Sequence, residues 1–287
     1  MKIHILNCGF IRIHEDLPYG GGSIMTGFRK AVMAPDHKRV TLPVFSYLIE
    51  HPAGLFLVDT GWSRDISPDG VYDPKAVKSV LPAHLAALYR PYVPAGMAVD
   101  EQLRSMGIRQ VDIDAVLITH LDPDHVSGLR SVSRAKRIVI PEDEAYWSVR
   151  TKYRIRQPEQ LWDVEGAERV FFRGHLLGPM NKAIDITGDG SIMMVNMPGH
   201  TDGLCGVIVR NREKYVILAS DAAVSARSWE KLEPPGFAAD PALQFKTLRW
   251  VAKEANDTAC AAVLCSHDKE SKAETIALTS EQINSRS

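Results

Sequence analysis

The sequence contains one stretch, VLITHLDPDHVSG at residues 116–128, that joins an apolar run to two imidazoles and two carboxylates. The apolar residues 116–118 are typical of a buried strand. The side chains that follow this run are His120, Asp122, Asp124 and His125. Because carboxylates and imidazoles are costly to bury without partners, a bound ion is the simplest way to satisfy such a cluster. An exposed polar loop with chance histidines is the alternative reading of this stretch alone.

Three later segments repeat the pattern of an apolar run that ends in a metal-ligand type of residue. In chain order, the runs at residues 192–195, 215–219 and 261–264 lead to His200, Asp221 and His267. A Pro-Gly turn precedes His200, which indicates a tight connection. Because the loops that leave strand ends converge in layered α/β proteins, these side chains are expected to meet at one site.

The order and spacing of these residues resemble the metallo-β-lactamase-fold hydrolases over residues 40 to 270. That family carries a His-x-His-x-Asp-His loop, then a His, a bridging Asp and a last His. The run Leu57-Val58-Asp59-Thr60-Gly61 resembles the family's Asp-Thr-Gly turn. Within the superfamily, the pattern is most similar to the N-acyl-homoserine lactonase branch. The resemblance implies an α/β protein with an αββα four-layer sandwich, and Asp59 as a group that ties down the metal loop.

The resemblance also implies a residue-by-residue assignment of two metal sites. The first site consists of His120, Asp122 and His200, the second consists of Asp124, His125 and His267, and Asp221 bridges them. Asp124 and Asp221 are the implied catalytic carboxylates. Two divalent ions are the implied cofactors, and no residues are assigned to an organic cofactor.

Two positions depart from the family pattern. Asp122 stands where the family has its second histidine, and Val224 stands where the lactonase branch has a tyrosine three residues after the bridging aspartate. Zinc is the expected metal, but the added carboxylate leaves Mn or Fe open. Without the tyrosine, the proton for the leaving group falls to Asp124, to metal-bound water or to another donor.

The implied function is a dinuclear metal-dependent hydrolase that opens a lactone, or cleaves a related carboxylic ester, through a metal-bridging hydroxide. Alternatives are a glyoxalase-II-like thioesterase or phosphodiesterase, and a non-hydrolytic diiron redox or metal-binding protein. The thioesterase is less favoured because the tail after Glu270 has no counterpart of that family's helical domain. The diiron reading is less favoured because no flavin-binding domain follows His267.

Composition fits an enzyme that acts on a small-molecule ester or lactone. The 287 residues include 34 basic and 35 acidic side chains, a formal net charge of -1, and show no dense basic run, which argues against nucleic acid as a partner. No stretch approaches the ~18 apolar residues that a membrane span needs. The four cysteines lack close-pair spacing and the N-terminus reads as a strand, so we expect a cytoplasmic protein. The oligomeric state stays open, with a homodimer among the options.

The length fits a single metallo-β-lactamase-like domain over residues 1–287, with residues 130–181 as a cap or connecting insertion. Early strands are predicted at 2–7, 40–49 and 54–58, and helices at 74–90, at 99–106 and around 142–150. The glycine-rich residues 19–23 fit a lid hinge or a hairpin loop, and residues 279–287 are expected to fray.

Overall fold

Two β-sheets pack face to face in the computed structural model, which describes residues 1–21, 35–150 and 155–278. The first sheet has the strand order β13-β1-β2-β3-β4-β5-β6. Its strands are β1 (Lys2–His14), β2 (Arg39–His51), β3 (Gly54–Val58), β4 (Ala115–Leu117), β5 (Ile138–Pro141), β6 (Glu168–Val170) and β13 (Thr275–Ala277). Pairing is antiparallel from β13 to β3 and parallel from β3 to β6.

The second sheet has the strand order β12-β11-β10-β9-β8-β7. Its strands are β7 (Arg173–Gly174), β8 (Lys182–Asp185), β9 (Ile192–Asn196), β10 (Cys205–Arg210), β11 (Tyr215–Leu218) and β12 (Cys260–Leu264). The β11–β12 pair is parallel and the other pairs are antiparallel. Strands β4, β9, β11 and β12 are the apolar runs whose ends carry the predicted metal ligands.

Eight α-helices connect these strands within the described ranges. They are α1 (Pro74–Val80), α2 (Ala83–Tyr89), α3 (Val99–Ser105), α4 (Pro123–Val126), α5 (Glu142–Ser148), α6 (Glu159–Trp162), α7 (Ala226–Glu230) and α8 (Pro241–Ala255). The prediction of one helix over 74–90 is wrong, because that segment forms α1 and α2. Pro82 separates them: Leu81 before it is extended, with φ -109° and ψ 144°, since proline disfavours a helical residue on its N-terminal side.

Alternation along the strands explains why the sheets pack in layers. In β3, Phe56 and Val58 point into the core between the two sheets, whereas Leu57 points to the opposite face and packs with the helices. A strand directs successive side chains to opposite faces, so a strand that is apolar at every position is buried on both sides. The first sheet is therefore covered on both faces.

The outer face of each sheet carries its own apolar cluster. Leu85 and Leu103 of the helices α2 and α3 pack against the first sheet. Leu248 and Val251 of α8 pack against the second sheet. Helix, sheet, sheet and helix thus form four layers, and the predicted αββα sandwich is confirmed.

Two of the predicted strands and one predicted helix are present with different bounds. The strands predicted at 2–7 and 40–49 exist and are longer than expected, and the helix near residue 99 ends before Gly107, which has φ +75°. Strands β5, β6 and β7 lie within residues 130–181 and join both sheets, and the assignment of this region as a cap or connecting insertion stays a prediction. Residues 279–287, and Gly22 and Ser23 of the glycine-rich turn, lie outside the described residues. Within the described residues, no helix is both long and apolar enough to span a bilayer.

The turn after β3 joins the first sheet to the segment that follows β4. Gly61 in this turn has φ +60°, and its carbonyl accepts a hydrogen bond from the backbone N–H of Gly128 at 3.0 Å. A Cβ atom at Gly61 would lie 2.2 Å from the Cβ atom of Cys8. Only glycine fits this position, because both the left-handed backbone and the close contact exclude a side chain.

We predict that Gly61→Ala lowers the free energy of unfolding by more than ~1 kcal/mol, because strain and overpacking add. Urea unfolding measures this loss. Gly174→Ala is the matched control, since the added Cβ would meet nothing within 4 Å. Equal stability of the two variants would contradict the prediction.

Candidate metal centre

The end of β4 positions the first group of predicted ligands. After Leu117 the chain passes His120 and Asp122 and enters helix α4, whose first residue is Pro123. Proline is favoured there because its missing N–H has no helical partner to lose. The helix turn places Asp124 and the following His125 on the buried side of the loop.

His120, Asp122 and His200 form one cluster, in which the potential ligand atoms lie within 4.8 Å of one another. Asp122 Oδ2 lies 3.6 Å from His120 Nε2 and 3.3 Å from His200 Nε2. All three side chains are buried. We call this set the first triad.

Asp124, His125 and His267 form a second cluster by the same criterion. Asp124 Oδ2 lies 3.4 Å from His267 Nε2. These side chains are also buried, and we call them the second triad. Asp122 therefore belongs to one cluster, and Asp124 and His125 belong to the other. This is the division that the family resemblance implies.

Asp221 lies between the triads and turns one oxygen to each. Its Oδ1 is 3.4 Å from His125 Nε2 and 3.3 Å from His267 Nε2. Its Oδ2 is 3.4 Å from His200 Nε2 and 3.9 Å from His120 Nε2. This is the position that a bridging carboxylate would take. The structure thus brings all seven sequence-predicted residues together, and their role as metal ligands stays a prediction.

The residues fit divalent ions, as their unsatisfied atoms show. Nε2 of His120, Nε2 of His125 and Oδ1 of Asp221 are buried without a hydrogen-bond partner among the described residues. Buried polar atoms are normally paired, so atoms of this kind that converge on one point require another occupant. Imidazole nitrogens together with carboxylate oxygens are a donor set suited to zinc, manganese or iron.

Two hydrogen bonds fix the orientation of the second triad's imidazoles. His125 Nδ1 donates to Asp59 Oδ2 at 2.8 Å, and His267 Nδ1 donates to the Pro43 carbonyl at 2.8 Å. A ring whose Nδ1 carries the proton presents the Nε2 lone pair to an ion. Asp59 also accepts from the backbone N–H of Thr119 and from its hydroxyl, both at 2.8 Å, so it ties the loop after β4 to the turn after β3.

Gly199 explains the Pro-Gly-His sequence at the next ligand. Its φ is +141°, and a Cβ atom there would lie 2.3 Å from the backbone of Gln244 in α8. Helix α8 thus packs directly against the turn that carries His200. A side chain at position 199 would push this turn away from the first triad.

The second triad lies in a strongly negative environment. Burial alone would lower the pKa of His267, but the carboxylates of Asp221 and Asp124 outweigh it and raise the pKa to about 10. Burial also opposes the charged form of His125, but the carboxylates of Asp221, Asp59 and Asp124 raise its pKa well above its ordinary value. Such carboxylates draw positive charge to this cluster, whether as protons or as an ion that displaces them.

The first triad already has a cationic neighbour, Arg156. Arg156 Nε donates to Asp122 Oδ1 at 2.7 Å, and Arg156 Nη2 donates to Asp122 Oδ2 at 2.5 Å. Burial opposes ionisation of Asp122, yet Arg156 holds the pKa of this carboxyl well below its usual range. Burial and the Arg156 charge together lower the pKa of His200 to about 4.

Glu144 is a buried carboxylate that lies behind the first triad. It accepts hydrogen bonds from the backbone N–H of Leu121 at 3.1 Å and from the N–H of Gly203 at 3.0 Å. The Thr201 hydroxyl also donates to it. Burial raises the pKa of Glu144. This side chain therefore links the loop of His120 to the loop of His200.

A cavity opens onto both triads. Its floor includes Asp122, Asp124, His200, Asp221, His267 and Arg156. Its walls are mainly apolar and include Ile11, Ile13, Leu17, Leu42, Val224 and Phe237. The Tyr89 side chain also lines it and packs edge-on against Trp62, with ring centroids 5.8 Å apart. Apolar walls over a polar floor suit a small molecule with an apolar part and a polar reacting group.

Sequence reasoning missed Arg156, Glu144 and Tyr89. One signal pointed to the first of these: a carboxylate in place of a neutral imidazole calls for a compensating cation. Nothing in the pattern shows which arginine supplies it, because 34 residues separate Asp122 from Arg156. Glu144 and Tyr89 sit in ordinary helical sequence, and their burial beside the site depends on the tertiary fold.

The fold and the two triads define the class of protein: a four-layer α/β protein with a candidate metal centre. A family model described as the metallo-beta-lactamase superfamily matches residues 39–261. The chain belongs to the metallo-β-lactamase superfamily. The resemblance expected from the sequence is confirmed.

Several similar proteins are named N-acyl homoserine lactonases. The chain is 27% identical over 244 residues to the N-acyl homoserine lactonase AttM of Agrobacterium fabrum, which covers 80% of this chain and 83% of that protein. It is 25% identical over 245 residues to the N-acyl homoserine lactonase AiiB of the same organism, which covers 79% of each.

Solved structures share the fold at lower identity. An N-acyl homoserine lactone hydrolase with the product N-hexanoyl-L-homoserine at its catalytic metal centre has a TM-score of 0.72 and 16% identity, covering 94% of both chains. AidC, described as a dizinc quorum-quenching lactonase, has a TM-score of 0.61 and 15% identity, covering 93% of this chain and 87% of that one.

We predict that Asp59→Asn weakens metal binding at the second triad by ~10–100-fold, the usual effect of removing a partner that orients a ligand histidine. Competition with a chromophoric chelator measures the affinity. Asp114→Asn is a matched control, because Asp114 accepts from the backbone of Leu55 at 2.9 Å and is not among the site residues. If Asp59→Asn binds metal as tightly as the control, Asp59 does not orient His125.

Proposed function

We propose that this chain is a dinuclear metal-dependent hydrolase that opens a lactone or cleaves a related carboxylic ester. The observation that carries the proposal is the Asp221 carboxylate, with one oxygen beside each triad. A carboxylate shared in this way lets two ions lie close together, as in two-metal hydrolases. The apolar cavity walls and the lactonase names of the relatives favour an acylated lactone over a highly charged substrate.

The proposed ligand sets are those predicted from the sequence. His120, Asp122 and His200 would hold one ion, Asp124, His125 and His267 the other, and Asp221 both. When bound, the two ions would polarise the substrate carbonyl and make a water molecule nucleophilic at neutral pH. Zinc fits this donor set, and the Asp122 carboxylate also suits Mn or Fe.

The protein's own groups would orient the substrate and move the proton. Asp124 and Asp221, the carboxylates proposed as catalytic, both line the cavity. The apolar walls would hold the acyl part of the substrate and keep bulk water from the reacting carbonyl. Val224 is 5% exposed and offers the leaving group no proton.

The Tyr89 hydroxyl fits the missing role of leaving-group donor. Tyr89 lines the same cavity as Asp122 and Asp124. Burial raises the pKa of Tyr89 well above its ordinary value, and these carboxylates add to the effect. The phenol therefore stays protonated at neutral pH and can donate. We assign to it the role that the lactonase branch gives to the tyrosine at the position of Val224.

The proposal predicts that the metal-loaded protein hydrolyses N-hexanoyl-homoserine lactone, and that chelation reduces the rate to background. Zn²⁺ or Mn²⁺ should restore it. Thioesters and phosphodiesters serve as competing substrates on the same sample. Faster turnover of a thioester or phosphodiester than of any lactone or carboxylic ester would overturn the substrate class, and activity that survives full metal removal would overturn the mechanism.

Tyr89→Phe should lower kcat/KM on alkyl lactones by ~10²-fold or more, the contribution of a general acid, and should affect activated aryl esters much less. An aryl leaving group needs little protonation, which is the reason for the difference. Val224→Tyr in the same variant should recover part of the loss. Tyr92→Phe, which alters a tyrosine stacked on Phe10, is the control. An equal loss on both substrate types would show that Tyr89 is not the donor.

A further inference from the structure

Hydrogen bonds from all three guanidinium nitrogens hold Arg156 at the edge of the first triad. Besides its contacts with Asp122, its Nη1 donates to the carbonyl oxygen of His200 at 3.0 Å and to that of Phe237 at 2.9 Å. Only 6% of the residue is exposed. A planar guanidinium with this many fixed acceptors has a defined position, unlike a mobile surface charge.

The decisive contact joins Arg156 Nη2 to His200 Nε2 at 2.6 Å. A guanidinium in a protein only donates hydrogen bonds and is not deprotonated. His200 must therefore accept with the Nε2 lone pair, and its ring proton must be on Nδ1. This lone pair is the one that a metal ion in the first triad would use. A single lone pair cannot serve both partners.

The second triad has no such competitor among the described residues. His125 Nε2 is buried without a hydrogen-bond partner, and Nε2 of His267 faces the carboxylates of Asp124 and Asp221. Both rings are fixed through Nδ1 by Asp59 and by the Pro43 carbonyl. An ion can enter this triad without displacing the charged side chain of another residue.

We propose that the guanidinium of Arg156 competes with a metal ion for the first triad, so that the two metal sites fill in sequence. The second triad binds first and more tightly. The second ion binds only when Arg156 Nη2 leaves His200 Nε2, while Asp122 can keep its pair with Arg156 through Oδ1. This inference rests on the proposed function as a metal centre and adds to it an order in which the two sites fill.

Metal-free protein titrated with Zn²⁺ against a chromophoric chelator tests the proposal. The unmodified protein should show two binding events at least ~10-fold apart in affinity. Arg156→Gln should tighten the weaker event by ~10-fold or more and leave the tighter event within about twofold, because only the first triad loses its competitor. Arg156→Lys keeps the charge without the planar fork and should fall between the two, and it serves as the second test if Arg156→Gln does not fold.

Arg137→Gln is the matched control, since it removes another arginine–carboxylate pair, Arg137 Nη2 to Glu168 Oε2 at 2.9 Å, that is not part of the site. It should titrate like the unmodified protein. Two equal affinities in the unmodified protein, or a weaker event that Arg156→Gln leaves unchanged, would overturn the competition. Binding of one ion by every variant would also overturn it. Absence of binding in all variants would overturn the proposed function as well.

Discussion

The buried meeting of four imidazoles and three carboxylates is the constraint on which the rest of the structure depends. Such groups are stable inside a protein only when positive charge and hydrogen bonds satisfy them. The fold meets the hydrogen-bonding requirement from behind the cluster. Asp59 holds His125 and Thr119, the Pro43 carbonyl holds His267, and Glu144 joins the loops of His120 and His200. Nε2 of His120, Nε2 of His125 and Oδ1 of Asp221 stay without a hydrogen-bond partner among the described residues, which is the requirement that divalent ions would meet.

The Asp122–Arg156 pair changes how that requirement is met on one side. A carboxylate in place of an imidazole adds a negative charge, and the guanidinium cancels it locally. The Asp122–Arg156 pair has a total charge near zero and offers a carboxylate oxygen to an ion. In charge it therefore resembles the neutral histidine that the family pattern has at this position. The substitution therefore need not abolish the site, but it couples metal binding to the position of an arginine. The residues of the second triad follow the family pattern that the sequence resembles, and their role as ligands stays a prediction.

Much of the fold and site could be predicted because the signal is local. The apolar runs at β4, β9, β11 and β12 each lead to a predicted ligand, and the loops that leave these strand ends meet at one site. The prediction of one helix over residues 74–90 was wrong, because Pro82 divides this segment into α1 and α2. Arg156 could not be identified, because its contact with Asp122 depends on the tertiary fold and on no local sequence pattern. Tyr89 lies at the end of α2 and enters the cavity wall only through packing against Trp62.

We propose that the converging atoms of the two triads hold metal, with the second triad as the primary site. Crystals of the protein grown with zinc and measured at the zinc absorption edge test it directly. We expect an anomalous peak bounded by His125, His267, Asp124 and Asp221. Where a second peak appears in the first triad, we expect Arg156 to be displaced from His200. A zinc-loaded crystal with no peak at either triad would contradict the proposed metal centre. A peak only at His200, with Arg156 still in contact with that histidine, would contradict the proposed order of loading.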